Sequence, residues 1–374
     1  MRYETISIPH EGTILGVHSI AQKSYLLIEH GSIHILTCII DNPTWHIKLP
    51  FHVQTFSCDE KGVYLGGIRY QNAQRTHSAP MFLALSHEGT LLWSHKEKVS
   101  KREVWALQSS TDGSVTALCV ERKHTDHTFS FIHFDSTGAL VWQQTQHSVV
   151  LQTNYCNPKK IPPRLFSNEN GIFCIGAFSF PGSHSAISII GLHPETGTIT
   201  LQYSSPKKGG IYTTHTLSQQ GHLAIAWQPL GVRNPNSGIL LFDQDLTCVG
   251  EYRSYLHCWM GMTWHNKSLL LSGKSRDQIP RPALESIGKE KFFHEFKAHQ
   301  LIGQTHQRHQ RFFYLHQKSP TLHQLIARDI FDTQILDEGE QIGKPFHATG
   351  THSPFHSIAY NHGDLSTLIK IWDS

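Results

Sequence analysis

The sequence is short of charge. Only 16% of its 374 residues are Asp, Glu, Lys or Arg, well below the roughly 25% of an average soluble protein. That excludes a coiled coil, which is rich in Glu and Lys. A net charge of +3 beside 39% apolar residues excludes a disordered chain, because such a composition can bury a core. Long apolar runs are missing too: none approaches the ~18 residues that span a bilayer. The stretch Met1–Pro9 has neither the basic region nor the roughly 7–15-residue apolar core of an export signal. A cytoplasmic chain with no membrane insertion is the expectation. Cys-x-x-Cys pairs are absent. The cysteines, Cys38, Cys58, Cys119, Cys156, Cys174, Cys248 and Cys258, are odd in number and mostly sit in apolar runs, which predicts buried free thiols in a reducing compartment.

Histidine fills part of the gap. There are 29 His against 32 Lys+Arg and 29 Asp+Glu, so the charge would climb as pH falls toward 6. The weak net charge by itself demands no nucleic acid.

A repeat organises the chain. Gly89-Thr90-Leu91-Leu92-Trp93 and Gly138-Ala139-Leu140-Val141-Trp142 share a Gly, apolar residues and a closing Trp, 49 residues apart. Gly197-Thr198-Ile199-Thr200-Leu201 is a weaker copy, and Trp45 closes a similar short run. Between these lie polar turns such as Asp59-Glu60-Lys61-Gly62, Thr111-Asp112-Gly113 and Asn168-Glu169-Asn170-Gly171, each followed by an apolar run. Gly and Asn provide the left-handed backbone that tight hairpins need. Runs of four to seven β-branched and aromatic residues read as strands.

Strand, turn, strand, variable loop, strand, turn, Trp-strand makes four antiparallel strands per repeat, and radial repetition of such units is a β-propeller. The expected fold is all-β, a single propeller domain over residues 1–374 with eight blades, or seven if the terminal pieces share a blade differently. The expected blades are 14–50, 51–98, 102–146, 163–205, 211–254, 257–296, 299–343, and 353–374 with 1–9. Pairing of the Leu365–Trp372 strand with the N-terminal strand would close the ring.

The Gly-x-Leu-x-Trp strands resemble blades of the quinoprotein-like propeller superfamily, and Leu368-Ile369-Lys370-Ile371-Trp372-Asp373 resembles the end of a WD repeat. The resemblance implies a fold and no activity. The adjacent Cys-Cys pair of many quinoproteins is missing, as is their export signal, so no quinone and no other cofactor is expected.

In such blades the first–second and third–fourth turns share one face, and the other loops and links share the opposite face. The second face collects Lys and Arg: Lys159, Lys160, Lys207 and Lys208 in links, Arg69, Arg75, Arg276 and Arg281 in loops. The first face collects Asp and Glu. One reading is a polarised surface that steers an acidic partner; the plainer one is that turns favour Asp and links carry solubilising Lys. Trp105 and Trp259 start inner strands beside the basic loops, as aromatic anchors or as packing between blades.

For metal, His52, Glu103 and His257 each stand ten residues before the first turn of their repeat. Two His and a carboxylate can hold an ion. Nucleophile and phosphate-loop motifs, Gly-x-Ser-x-Gly and Gly-x-x-x-x-Gly-Lys-Ser/Thr, are absent. The expected function is therefore a non-catalytic interaction scaffold that binds an acidic protein or peptide through the basic loop face, with Arg69, Arg75, Trp105, Lys159, Lys160, Lys207, Lys208, Trp259, Arg276 and Arg281 as binding residues. Two alternatives remain. One is an enzyme of hydrolase or lyase type with a metal or polar site at the central channel. The other is a nucleic-acid or glycan binding module, which salt dependence of affinity would reveal.

Overall fold

The computed structural model describes residues 2–9, 12–40, 43–70, 78–98, 102–122, 127–146, 149–151, 163–168, 170–180, 183–184, 187–205, 210–217, 221–229, 237–254, 257–265, 268–275, 312–317, 322–328, 333–348, 355–362 and 365–372. For residues 2–9 and those beyond 250, the backbone path alone is described. No helix among the described residues is long and apolar enough to cross a membrane.

After β1 (Arg2–Pro9), four strands bond in chain order into a first blade: β2 (Thr13–Ile20), β3 (Lys23–His30), β4 (Ile33–Ile39) and β5 (Pro43–Leu49). The second blade holds β6 (His52–Cys58), β7 (Val63–Tyr70), β8 (Ser78–Leu85) and β9 (Leu91–Lys96). The third holds β10 (Arg102–Ser109), β11 (Val115–Arg122), β12 (His127–Phe134) and β13 (Leu140–Gln146). Next come β14 (Val150–Leu151), β15 (Arg164–Asn168), β16 (Gly171–Gly176), β17 (Phe178–Phe180), β18 (Ser183–His184), β19 (Ser188–Leu192) and β20 (Ile199–Ser204). Of these, β15, β16, β19 and β20 form the fourth blade, and β14, β17 and β18 a three-stranded side sheet. The fifth blade is β21 (Gly210–Leu217), β22 (Leu223–Pro229), β23 (Ser237–Phe242) and β24 (Cys248–Ser254).

The C-terminal strands depart from the eight-blade expectation. β25 (His257–His265), β26 (Ser268–Ser275), β27 (Phe312–Gln317), β28 (Leu322–Arg328), β29 (Thr333–Ala348), β30 (Phe355–His362) and β31 (Leu365–Trp372) join β1 in one eight-stranded sheet. Five separate four-stranded blades therefore stand among the described residues. The physical reason lies in β29. Its 16 residues run on without a turn, pairing with β28 up to Glu340 and with β30 from Gln341 on, the latter with a register shift between Ile342 and Phe346. The contact of β26 with β27 is parallel, where a hairpin blade would be antiparallel. The expected inner strand near Leu301 lies outside the described residues. The terminal strands do pair, antiparallel, from Arg2↔Trp372 to Pro9↔Leu365.

Two compact units divide the chain: Met1–Val17, Gly210–Thr349 and Ser353–Ser374 form one; His18–Gly209 and Gly350–His352 form the other. In the second unit the first strands of successive blades lie side by side, β6 against β10 and β10 against β15. They are the inner strands. Each middle strand is buried on both faces, which explains why it reads as a continuous apolar run. Side chains alternate along a strand. In β11, Ala117 and Cys119 enter one core cluster with Tyr64, Phe82 and Phe134, while Leu118 and Val120 enter another with Trp142, Leu165 and Phe178. Burial of each large side chain contributes about 1.5–3 kcal/mol.

The Trp motif links blade to blade. Gly138 turns with φ of 83° directly against the Trp93 indole, and Gly197 does the same against Trp142. The Trp45 and Trp142 indole N–H groups donate to the carbonyls of His87 and Pro194 in the following blade, at 3.1 and 2.8 Å. A bulge recurs in the inner strands, leaving one residue of each unpaired: Gln54 in β6, Trp105 in β10, Thr213 in β21 and Met260 in β25. Such bulges re-aim neighbouring side chains.

Candidate functional site

β3 and β4 are joined by Gly31-Ser32, with Gly31 at φ +61°, a left-handed conformation that Gly adopts readily. This short turn fixes the register, so Glu29 faces His34 directly across the hairpin. The inner strand of the next blade, β6, begins at His52 and touches β4. Glu29, His34 and His52 therefore converge from three strands, and one ligand-type atom from each lies within 4.8 Å of the others.

His34 is only 2% exposed, and a buried ring needs partners for both nitrogens. Its Nδ1 accepts the Val53 backbone N–H at 3.2 Å. Its Nε2 lies 2.5 Å from His52 Nδ1 and 3.5 Å from Glu29 Oε1. The two imidazoles stand at 89°, and the Tyr70 ring lies 5.9 Å from that of His52. Burial, and next the neighbouring His52, push His34 down to about 4 against the opposing pull of Glu29. His34 is thus neutral at pH 7, and its contact with Glu29 is a polar contact and not an ion pair.

The donor set does not fit a metal ion. A metal-bound His normally donates its second ring N–H to an acceptor. Here the second nitrogen of His34 faces a donor, the Val53 N–H. Ligation through Nε2 would set two N–H groups against each other.

The residues expected from sequence are distributed unevenly. His52 stands in the cluster, but with His34 and Glu29. The Glu103 carboxylate accepts the Trp105 indole N–H at 3.0 Å. His257 is out of step with both: the residue two before the bulge is His52 in β6 and Glu103 in β10, but Cys258 in β25. Neighbours on a strand point to opposite faces, so an equal count from the turn does not make His257 equivalent. Trp105 is 2% exposed and belongs to the core, which corrects its assignment as a surface anchor: a side chain packed between blades offers nothing to a partner. Arg69 is exposed at the end of β7. Arg75, Lys159, Lys160, Lys207, Lys208, Arg276 and Arg281 lie outside the described residues, and of Trp259 only the backbone, in β25, is described.

Glu29 was missed by sequence reasoning. The signal was the two-residue turn, which dictates that residues two before and two after it face each other. The acidic turns have a local use. Asp135 Oδ1 accepts the N–H of Thr137 at 2.8 Å and of Ala139 at 3.0 Å, and Asp243 Oδ1 those of Asp245 and Thr247 at 3.1 and 2.8 Å. These carboxylates hold turns together, as the plainer reading of the acidic face expected.

No family model and no curated protein matches this chain. Solved structures do. The β-propeller domain of the Trilobed protease from Pyrococcus furiosus matches with a TM-score of 0.50 and 8% identity, over 97% of this chain and 96% of that one. An acylaminoacyl peptidase from Pyrococcus horikoshii matches with a TM-score of 0.50 and 6% identity; 94% of this chain aligns, covering 49% of the peptidase, so the chain spans about half its length. A chain of a mitotic checkpoint complex matches with a TM-score of 0.50 and 8% identity, over 99% of this chain and 95% of that one. These likenesses are of fold. They correct the expectation of a non-catalytic scaffold, because propellers from peptide-cleaving proteins match this chain as well as one from a protein assembly does. With its sheets, registers and neighbours taken together, the chain is a β-propeller of four-stranded antiparallel blades.

Proposed function

We propose that this chain is a hydrolase-type β-propeller whose polar site is formed by Glu29, His34 and His52, with acylated peptides as the substrate class. The carrying observation is the convergence of a partly exposed carboxylate, Glu29, on two histidines: the buried, neutral His34 and the half-buried His52 that opens an inner strand. A carboxylate acceptor beside an imidazole donor can direct water at a carbonyl. In the reaction, water oxygen bonds to the acyl carbon while Glu29 takes its proton. His52 hydrogen-bonds the developing oxyanion. The C–N bond then breaks, and Glu29 returns the proton to the leaving amine nitrogen. The substrate class is borrowed from the peptidase propellers of similar fold.

The test is release of p-nitroaniline from N-acylated aminoacyl p-nitroanilides by the purified chain between pH 5 and 9. Turnover is expected, falling about 100-fold or more in His52→Ala and in Glu29→Gln. No turnover, or turnover unchanged in both variants, refutes the reading.

A further inference from the structure

We propose that His34 is a positioning residue that fixes the tautomer of His52, so that His52 carries its hydrogen on Nε2 and can only donate there, to an acceptor oxygen. This deepens the proposed hydrolase reading and rests on it for the identity of the ligand. The assignment of protons does not depend on that reading.

The proton order of the pair starts at one backbone amide. The Val53 N–H can only donate, and it points at His34 Nδ1 from 3.2 Å. That nitrogen must therefore offer a lone pair, and neutral His34 carries its hydrogen on Nε2. His34 Nε2 in turn lies 2.5 Å from His52 Nδ1. Two ring nitrogens this close need one hydrogen between them, and His34 supplies it. His52 Nδ1 is then the acceptor, and the His52 hydrogen stands on Nε2. Glu29 Oε1 is farther from His34 Nε2, at 3.5 Å, so it competes weakly for the same hydrogen. Among the described residues, Glu29 from β3 and the Tyr70 ring from β7 face the pair.

The chemical consequence is selectivity. A neutral imidazole with Nδ1 occupied can polarise a carbonyl or bind a carboxylate, but cannot accept a hydrogen bond from a ligand hydroxyl or ammonium. The same arrangement resists a divalent metal, since ligation at His34 Nε2 or His52 Nδ1 requires the bridging hydrogen to leave.

The experiment uses the full chain labelled with 15N and reads long-range 1H–15N couplings of the imidazoles at pH 7, without substrate. Both rings are expected as Nε2–H tautomers. The His52 titration midpoint, followed by the same signals, is expected to rise in His34→Leu, which removes the hydrogen donated to Nδ1. His34→Gln, whose side-chain amide can still donate, is expected to hold it down. An Nδ1–H signal on His52, or identical His52 titrations in wild type and His34→Leu, overturns the inference. So does displacement of the His34 and His52 signals by one equivalent of Zn2+. If the tautomers are as stated and no p-nitroaniline is released, the hydrolase reading fails and the positioning role stands. If turnover occurs with an Nδ1–H His52, the positioning role fails alone.

Discussion

Gly197 lies so close to the Trp142 indole that a Cβ added to the glycine would sit 2.5 Å from Trp142 Cε3. Gly138 repeats the relation with Trp93 at 2.6 Å, and both glycines have left-handed backbone, at φ +69° and +83°. An alanine there would meet a ring and a strained backbone together. Gly138→Ala and Gly197→Ala should each lose about 2–4 kcal/mol in urea unfolding. Gly31→Ala is the control. Its φ is +61° and nothing lies within 4 Å of the added Cβ, so a loss of about 1 kcal/mol is expected from backbone strain alone.

The tryptophans differ in their polar ends. Trp142 Nε1 donates to the Pro194 carbonyl at 2.8 Å, whereas buried Trp93 Nε1 has no hydrogen-bond partner among the described residues. Trp142→Phe strands an acceptor, and Trp93→Phe removes an unsatisfied donor. Trp142→Phe should be the more destabilising by about 1–2 kcal/mol, read from the two denaturation midpoints at unchanged slope.

His18 controls part of the acid limb. It packs edge-on to Phe56, with ring centroids 4.7 Å apart. Burial first, then Arg164, push it down to about 4. Since its pKa when unfolded is near 6.5, the unfolded chain binds the proton more readily. The contribution of a neutral His18 is complete above pH 6.5 and fades as pH falls toward 4. His18→Leu should flatten that limb by about 2 kcal/mol, seen as a smaller drop in Tm between pH 6.5 and 4.

Asp59 works in the opposite sense. Its Oδ1 accepts the N–H groups of Lys61 and Gly62 at 2.7 and 3.1 Å, while Oδ2 is buried without a hydrogen-bond partner among the described residues. Burial raises its pKa despite these bonds. Ionisation is then easier in the unfolded chain, so the folded state loses ground as pH rises through the ordinary Asp range. Asp59→Asn keeps the Oδ1 acceptor and removes the charge. The stability of the variant relative to wild type should increase between pH 3 and 6; a constant difference would refute the assignment.

Much of the blade was legible because its signals are local. Polar turns with Gly or Asn, apolar runs between them and the recurring Trp gave four antiparallel strands per repeat. The blade number was not legible, since β29 passes from β28 to β30 between Glu340 and Gln341 and runs on through Gly343-Lys344-Pro345 without turning back. A reader of the sequence would break the strand there. Trp105 stayed open between surface and core for a related reason: it is the bulged residue of β10, and nothing in its neighbours says whether a bulge sends a ring into the core or into solvent.

By itself, the sequence determined the all-β class, the antiparallel repeat and the inclusion of His52 among polar residues worth attention. These follow from hydrogen bonding and side-chain alternation over a few neighbouring residues. Only the tertiary structure decided which groups His52 meets. His34 and Glu29 reach it from another blade, and the proton order of the pair is set by a single backbone N–H, that of Val53. Spacing along the chain carries no record of that contact, because packing between strands distant in sequence creates it.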